Sequence, residues 1–599
     1  MLASFPRPLF RAQTLRDFWW KLFILAFLAF PGASGAAAQE ETEEAPPERA
    51  PGESVVILSR ADLEAMKVNK IQDALNQVPG VQASSSSVSI HGSSKVRVFL
   101  DGTPLNDPTS SYGAINLDHI SLKSVSQIEI IKDSGGLRYG QDATGGVILI
   151  TSAPSRGESD VSGQVRVWSG NHDFRHADAD LLFRRGGWGL GVKAGWETTE
   201  GFKANNDAER RRGGLKIGYN WEERKSLSLN ADFLSEINGL SGLPAFPTPH
   251  SRQKSENLTA SLSAVWNGLE NNLFYNRGQV RNLDHSRSMD INLKVAEYGD
   301  SLAYAFPLSF GTLVVGTGAL ATEAVSSDFG RREEWSWHFF FAQSLRFESF
   351  PLNFNVGLRY NRNSDFANSL NPEFSVAYAF PKGEISYQIS RGVNTPSFQQ
   401  RFNHSSSTTP NPNLDIEKAV NQALTATFRP HPLASLSATF FLNRLNGRIT
   451  YVRPVNTGVG SYQNLGRSVY RGVDLGLTLK PWAWAEIKAN YAYLEALDLD
   501  IDRFLTSQSR DTASLEIAWR PRADFTAAAR GEFRGRSYAD RWNTNSYGGR
   551  TLFSLRAEYA KGPLVFFLDA DNIFDKEYYY VDGLLAPDRS YFIGIKYNF

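Results

Sequence analysis

Leu352-Asn353-Phe354-Asn355-Val356-Gly357-Leu358-Arg359-Tyr360-Asn361 places an apolar side chain at every second position and a polar residue or glycine between them. Successive side chains of an extended chain point to opposite faces, so this stretch predicts a strand with one apolar and one polar face. The same period runs through Leu258, Ala260, Leu262, Ala264 and Trp266, and through Tyr591, Ile593, Ile595, Tyr597 and Phe599. A water-soluble sandwich alternates in the same way, so periodicity alone leaves the class open.

The connections separate the two classes. Tight turns at 222–225, 267–270, 381–384, 520–523 and 561–563 alternate with long polar connections at 238–255, 391–417, 446–467, 496–509 and 534–546. Short turns on one rim and long loops on the other predict a transmembrane β-barrel. Trp188, Trp221, Trp266, Trp482, Trp484 and Trp519 all lie at or beside the tight turns, as an aromatic girdle at one membrane interface requires. Eleven strands are expected between Val161 and Asn363 and eleven between Glu373 and Phe599, an even total of 22.

Composition agrees. Of 599 residues 41% are apolar, while 63 Lys plus Arg balance 63 Asp plus Glu, which argues against a protein that coats nucleic acid. The absence of cysteine excludes disulfides, thiolate metal sites and cysteine nucleophiles. The longest apolar run, Leu22 to Phe30, is too short to cross a bilayer as a helix, which needs about 20 residues. Arg7, Arg11, Arg16 and Lys21 precede that run and Gly35-Ala36-Ala37-Ala38 follows it, so residues 1–38 are expected to be a secretory signal. Residues 39–53 form an acidic, proline-rich tail. Residues 54–153 mix helical and strand periods in a compact α+β unit, and residues 154–599 carry the barrel. A barrel this wide cannot be filled by its own side chains, and the α+β unit is the candidate to block it.

Several blocks resemble TonB-dependent outer-membrane receptors, which are plugs inside 22-stranded barrels. In the plug these are Ile71-Gln72-Asp73-Ala74-Leu75 with Val78-Pro79-Gly80-Val81, Val98-Phe99-Leu100-Asp101-Gly102-Thr103-Pro104-Leu105-Asn106-Asp107, and Ile128-Glu129-Ile130-Ile131 followed by Tyr139-Gly140-Gln141-Asp142-Ala143-Thr144-Gly145-Gly146-Val147-Ile148. In the barrel they are Asn411-Pro412-Asn413-Leu414, Tyr470-Arg471-Gly472-Val473-Asp474, Asn572-Ile573-Phe574-Asp575 and the terminal Phe599. The resemblance is nearest to the vitamin B12 and catecholate siderophore branch. It implies a non-enzymatic receptor of the bacterial outer membrane that imports cobalamin or a ferric siderophore, with TonB, ExbB and ExbD as partners. A passive porin-like channel, or a receptor for haem or oligosaccharide, is the alternative. Two departures from the family bear on how plug and barrel pair their ions: His91 stands where arginine is usual, and Lys132-Asp133-Ser134 replaces Arg-Gly-Pro. Glu53-Ser54-Val55-Val56-Ile57 resembles the segment that TonB engages, although it sits where the first plug strand is expected.

The plug loops Ala83–Ser87 and Asn106–Asn116 are expected to meet the ligand through Ser85, Ser86, Asn106, Asp107 and Tyr112, the serine run being otherwise a plain turn. Asp498, Asp500 and Asp502, with Glu495 nearby, have a spacing compatible with Ca²⁺ or with a solvated acidic loop. No other cofactor is implied. Arg210-Arg211-Arg212 suits either lipopolysaccharide phosphates in the outer-membrane lipid or simple hydration. Gly316-Thr317-Gly318-Ala319-Leu320-Ala321 lacks the helix a dinucleotide site needs and is assigned to a strand.

Overall fold

Between Asp160 and Asn598, hydrogen-bonded ladders run between chain neighbours, and the last strand, Ser590–Asn598, closes on the first, Asp160–Gly170, with Ile595 opposite Val167. The computed structural model describes residues 55–599 except 67, 69, 112, 118–119, 121, 133–135, 153–159, 223, 348–349, 406, 453–458 and 581–583. The expected signal, the acidic tail, Glu53, Ser54 and Tyr112 lie outside the described residues. Twenty-two antiparallel strands form the cylinder, eleven ending at Asn363 and eleven beginning at Ser369. The two-residue strand Arg503–Phe504 adds to Ala485–Asp498 at the rim. Closure pairs every strand on both sides, so no backbone edge faces lipid.

The wall is inverted relative to a soluble protein. Outward-facing Val192, Leu229, Phe233, Leu424, Phe440 and Leu568 are exposed, whereas lumen-facing Asn355, Asn361, Gln388 and Asn421 are almost wholly buried. That is the outcome of period-two alternation when lipid lies outside and a polar body lies inside. At the tight-turn rim Trp188 leans on Tyr219 at 4.7 Å, and Trp482 stacks on Trp484 at 4.8 Å. On the opposite rim one arc departs from the expected long loops. Strands Met289–Leu308, Gly311–Ser326 and Gly330–Phe347, of 20, 16 and 18 residues, extend the wall itself and are joined by short connections. Gly316 to Ala321 lies within the second of them.

Inside sits a five-stranded sheet built from β1 (Val55–Ser59), β4 (Val96–Leu100), β5 (Thr103–Pro104), β6 (Val125–Lys132) and β7 (Gly146–Ser152), in the order β1-β6-β7-β4-β5. A short hairpin, β2 (Val81–Ala83) with β3 (Val88–Ile90), lies beside it. Ser59 opens the helix Arg60–Met66 with reciprocal bonds: its hydroxyl accepts from the Asp62 amide at 3.2 Å, and the Asp62 carboxylate accepts from the Ser59 amide at 2.9 Å. Leu63, Leu75, Val98, Ile128, Ile130, Ile148 and Ile150 fill one hydrophobic core whose buried members all come from this domain. The inner domain therefore carries its own apolar core, which leaves polar groups to face the wall.

Candidate functional site at the contact between plug and barrel

Wall side chains reach inward and donate to main-chain carbonyls of the plug. Asn272 bonds Gly102 at 2.9 Å, Asn276 bonds Pro104 at 2.8 Å, and Gln388 bonds Lys132 at 2.9 Å. Asn421 bonds Thr144 at 2.8 Å, Asn490 bonds Gln77 at 3.0 Å, and Arg520 bonds Ala65 at 3.0 Å. A typical intramolecular hydrogen bond of this kind contributes about 0.5–1.5 kcal/mol net, because water replaces it when it breaks. Such an interface can open stepwise without exposing a large apolar surface.

The contact at Asp474 is ionic and buried. Asp474, in the wall strand Arg467–Trp482, is buried, and its Oδ2 lies 2.7 Å from His91 Nε2 and 3.2 Å from Lys132 Nζ. Lys132 also donates to the Pro79 carbonyl at 2.5 Å, and the His91 ring stacks on Phe441 of the wall at 3.8 Å. His91 adopts left-handed backbone with φ 50°. Gly80 completes the pocket: at φ +74° it lies so close that a Cβ there would come within 2.1 Å of Asp474 Oδ2. Only glycine meets both demands, the left-handed backbone and the missing Cβ. The two departures noted in the sequence thus converge on a single carboxylate.

A family model described as "TonB-dependent Receptor Plug Domain" matches residues 47–147, and one described as "TonB dependent receptor-like, beta-barrel" matches residues 149–573. The chain belongs to the TonB-dependent receptor family. As a TonB-dependent receptor it is a protein of the outer membrane. It is similar to a vitamin B12 transporter BtuB of Photobacterium profundum, with 22% identity over 91% of this chain and 92% of that protein. Among solved structures, a variant of the ferric enterobactin receptor PfeA from Pseudomonas aeruginosa superposes with TM-score 0.78 at 15% identity, covering 92% and 99% of the two chains. The siderophore receptor PirA of Acinetobacter baumannii gives 0.75 at 14% identity, covering 91% and 98%.

The structure places several of the expected site residues within the plug's own hydrogen-bonded framework. Val55, Val56 and Ile57 lie in β1, paired with Ile131, Ile130 and Glu129 of β6. Ser85 and Ser86 form the tip of a turn in which Ser86 is exposed, and their carbonyls accept from the Leu117 and Ile115 amides at 2.9 and 3.1 Å, joining the two apical loops. Asn106 accepts from the Val98 amide at 2.8 Å and donates to the Val96 carbonyl at 2.9 Å, stitching its loop to β4. Asp107 accepts from the Thr109 amide and hydroxyl at 2.8 and 2.6 Å, and burial pushes its carboxyl above the usual range. Above this loop, the short helix Phe398–Phe402 descends from a long outer loop, where the Gln399 amide bonds the Thr109 carbonyl at 3.3 Å.

The acidic trio does not converge. Asp498 pairs with Arg541 at 3.2 Å, Asp500 pairs with Arg467 at 3.2 Å, and Glu495 faces Arg471 at 2.9 Å. Among the described residues no group of three or more histidine, aspartate or glutamate side chains is placed to hold a metal ion. The arginine run also divides. Arg210 and Arg212 turn into the lumen, Arg210 against Glu197 and Glu236 and Arg212 near Asp178, while Arg211 points outward onto Glu209 at 2.6 Å. Only one of the three can meet lipid, and it is already neutralised.

The sequence reading missed a buried ionic cluster on the inner wall. His176 lies between Asp178 at 2.8 Å and Glu197 at 3.0 Å, its ring stacked on Trp168 at 3.5 Å, and Arg166 engages Asp178 at 2.9 Å. The signal was present: His176, Asp178 and Asp180 occupy alternate positions, so three successive side chains on one strand face are ionisable. On the plug side of the lumen Asp73 is pushed up to about 6 by burial, with repulsion from Asp571 of the wall next in weight.

Proposed function

We propose that this receptor imports cobalamin or a ferric siderophore, and that TonB, energised through ExbB and ExbD, supplies the work that moves the plug. The supporting observation is the pairing of Val55 with Ile131, the residue just before Lys132. β1 is the outermost strand of the plug sheet, paired on one side with β6, so a partner strand can add to its other edge. A pull that arrives through the residues before Val55 loads the Val55–Ile131 pair first. Lys132, and with it the grip on Asp474, is the next residue along.

Ligand recognition outside must bias the state of the plug inside, which requires contacts that differ between the two states. The bond from Gln399 of the outer loop to Thr109 at the plug apex gives such a route. Cobalamin is supported by the Photobacterium profundum transporter, matched nearly end to end, and ferric siderophores are the other candidate ligand class. A plug with its own core in the lumen favours energised import over a passive pore.

The test is binding of cyanocobalamin, ferric enterobactin and ferrioxamine B to the purified receptor, followed by tryptophan fluorescence, together with uptake in cells with and without TonB. Binding of one ligand, with uptake only where TonB is present, is expected. Failure of all three to bind would overturn the ligand assignment, and undiminished uptake without TonB would overturn the energy source.

A further inference from the structure

Arg534 and Arg550 stand directly opposite each other in the ladder between the wall strands Phe525–Arg534 and Arg550–Lys561. Opposed residues share a face with Cα atoms about 5 Å apart, and like charges placed so repel. The face is the lumen. Arg534 Nη1 donates to Oε1 of Gln82 in the plug at 3.0 Å, whereas Phe533 and Phe553, of opposite parity, are 41% and 42% exposed on the lipid side.

Two other pairs of lysine or arginine oppose each other in the wall ladders, Arg166 with Lys596 and Lys254 with Arg281. Each of those four cations has a carboxylate, Asp178, Glu558, Glu256 and Asp290 in turn, at 2.6–2.9 Å. Arg534 and Arg550 make no ion pair among the described residues, and Glu532, two positions from Arg534 on the same face, is taken by Arg530 at 2.8 Å. Arg550 instead donates to the Tyr579 carbonyl at 2.9 Å and lies over the Tyr578 ring at 4.6 Å. An opposed pair of cations facing the plug without a counter-charge is a site prepared for an anion.

The pair sits where outer connections meet the plug. Both arginines flank the connection 535–549, the tyrosines belong to the connection 572–589, and Gln82 lies in β2 beside the apical turn of Ser84 to Ser87. Gln82 and Arg534 line a cleft of about 420 Å³ between plug and wall, with Thr512, Ser514 and Arg530 beside them. Guanidinium forks match paired oxygens, and tyrosine rings offer flat faces to an aromatic group. Among the candidate ligands a ferric tris-catecholate is anionic and aromatic, ferrioxamine B is a cation, and cyanocobalamin carries no net charge. An anion bridging the two arginines relieves their repulsion and competes with Gln82 for Arg534. Gln82 is two residues from Gly80, which abuts Asp474, so freeing Gln82 loosens the segment that seats the plug there.

On the reading that the receptor imports cobalamin or a ferric siderophore, we propose that Arg534 and Arg550 clamp an anionic catecholate chelate, and that the clamp frees Gln82 and so reports occupancy to the plug. The test measures binding of ferric enterobactin, ferrioxamine B and cyanocobalamin to the full-length purified receptor by tryptophan fluorescence, and the mobility of a spin label on Ser85→Cys, the chain having no cysteine of its own. R534Q/R550Q should bind ferric enterobactin at least about ten-fold more weakly than wild type. R534K/R550K should keep most of the affinity, and R211Q, whose arginine points outward, should keep all of it. Ferric enterobactin should raise the label's mobility in wild type, and Gln82→Ala should raise it without ligand. Heat-modifiable gel mobility confirms that each variant is a folded barrel, and if R534Q/R550Q is not, R550Q alone carries the comparison. Equal affinity of wild type and R534Q/R550Q for ferric enterobactin, or a label indifferent to the ligand, would overturn the proposal and leave the import reading standing. Binding of cyanocobalamin or ferrioxamine B in place of ferric enterobactin would do the same, whereas binding of none of the three would remove the ligand reading and the clamp with it.

Discussion

Lys132 of the plug places its Nζ 3.2 Å from the Asp474 carboxylate of the wall, across 342 positions of chain, with both side chains buried. The same oxygen receives His91 at 2.7 Å. Breaking a buried pair by removing one partner costs about 3–5 kcal/mol, because the remaining charge is stranded. Asp474→Ala strands Lys132 at once, so the variant should loosen the plug. Bilayer conductance in a urea series should appear at lower urea than for wild type, and cells should become more sensitive to large antibiotics. Unchanged conductance would show that the contact does not hold the plug.

Gly80→Ala should act through the same carboxylate. Its Cβ would fall 2.1 Å from Asp474 Oδ2 on a backbone of φ +74°, so Asp474 must move. A loss of about 1–3 kcal/mol in thermal unfolding of the plug is expected. In combination with Asp474→Ala the clash has already gone, so the double variant should lose clearly less than the sum of the two.

The chain has no cysteine, which makes engineered cross-links clean. Thr144 Oγ donates to Asn394 Oδ1 at 2.8 Å, plug to wall. A receptor carrying Thr144→Cys and Asn394→Cys should bind ligand whether oxidised or reduced, but import it only when reduced. Import by the oxidised form would mean that this part of the plug stays seated during transport.

Asp73 should give plug stability a dependence on pH. Its carboxyl is raised from 3.8 to about 6 by burial first and by Asp571 second, with Glu532 adding repulsion and Lys70 and Arg530 opposing it. A raised acid binds its proton more tightly in the folded state. The stability it contributes is complete below pH 3.8 and is lost as pH rises through about 6. Asp73→Asn should therefore stabilise the plug at pH 7.5 by about 1–2 kcal/mol and change little at pH 4. Thermal melts at the two pH values check the sign.

Asn106→Ala separates a structural role from ligand contact. The residue holds the Val98 amide and the Val96 carbonyl, so its loss should lower plug stability by about 1–3 kcal/mol while leaving ligand affinity near wild type. A large loss of affinity in a stable variant would restore it to the binding site.

The barrel was legible because its rule is local. Each strand declares its two faces by alternation and its ends by Gly-containing or charged turns, so the division into eleven strands before Asn363 and eleven after emerges from the residues alone. His91 and Lys132 could be marked as unusual, but Asp474 could not be named as their partner, since nothing in sequence links positions 383 apart. A sequence displays the polar side chains of Asn106 and Asp107 without the backbone groups they bond, which only the fold brings to them. The arginine run divides for a reason alternation supplies: neighbours on a strand face opposite ways, so three adjacent like charges do not share one face.

Much of the wall's hold on the plug closes on carbonyl oxygens, at Gly102, Pro104, Lys132, Thr144 and Gln77 among others. A carbonyl is the acceptor that no point mutation deletes. At those points the plug is free to drift in side-chain composition, because what the cylinder reads there is the course of the main chain, whereas Asp474, Glu270 and Asn394 read the side chains of His91 with Lys132, of Arg138 and of Thr144. A foreign plug that follows the same trace and keeps those four side chains should dock here with little redesign, and chimeras that exchange whole inner domains become a practical route to receptors with new energy-coupling tails.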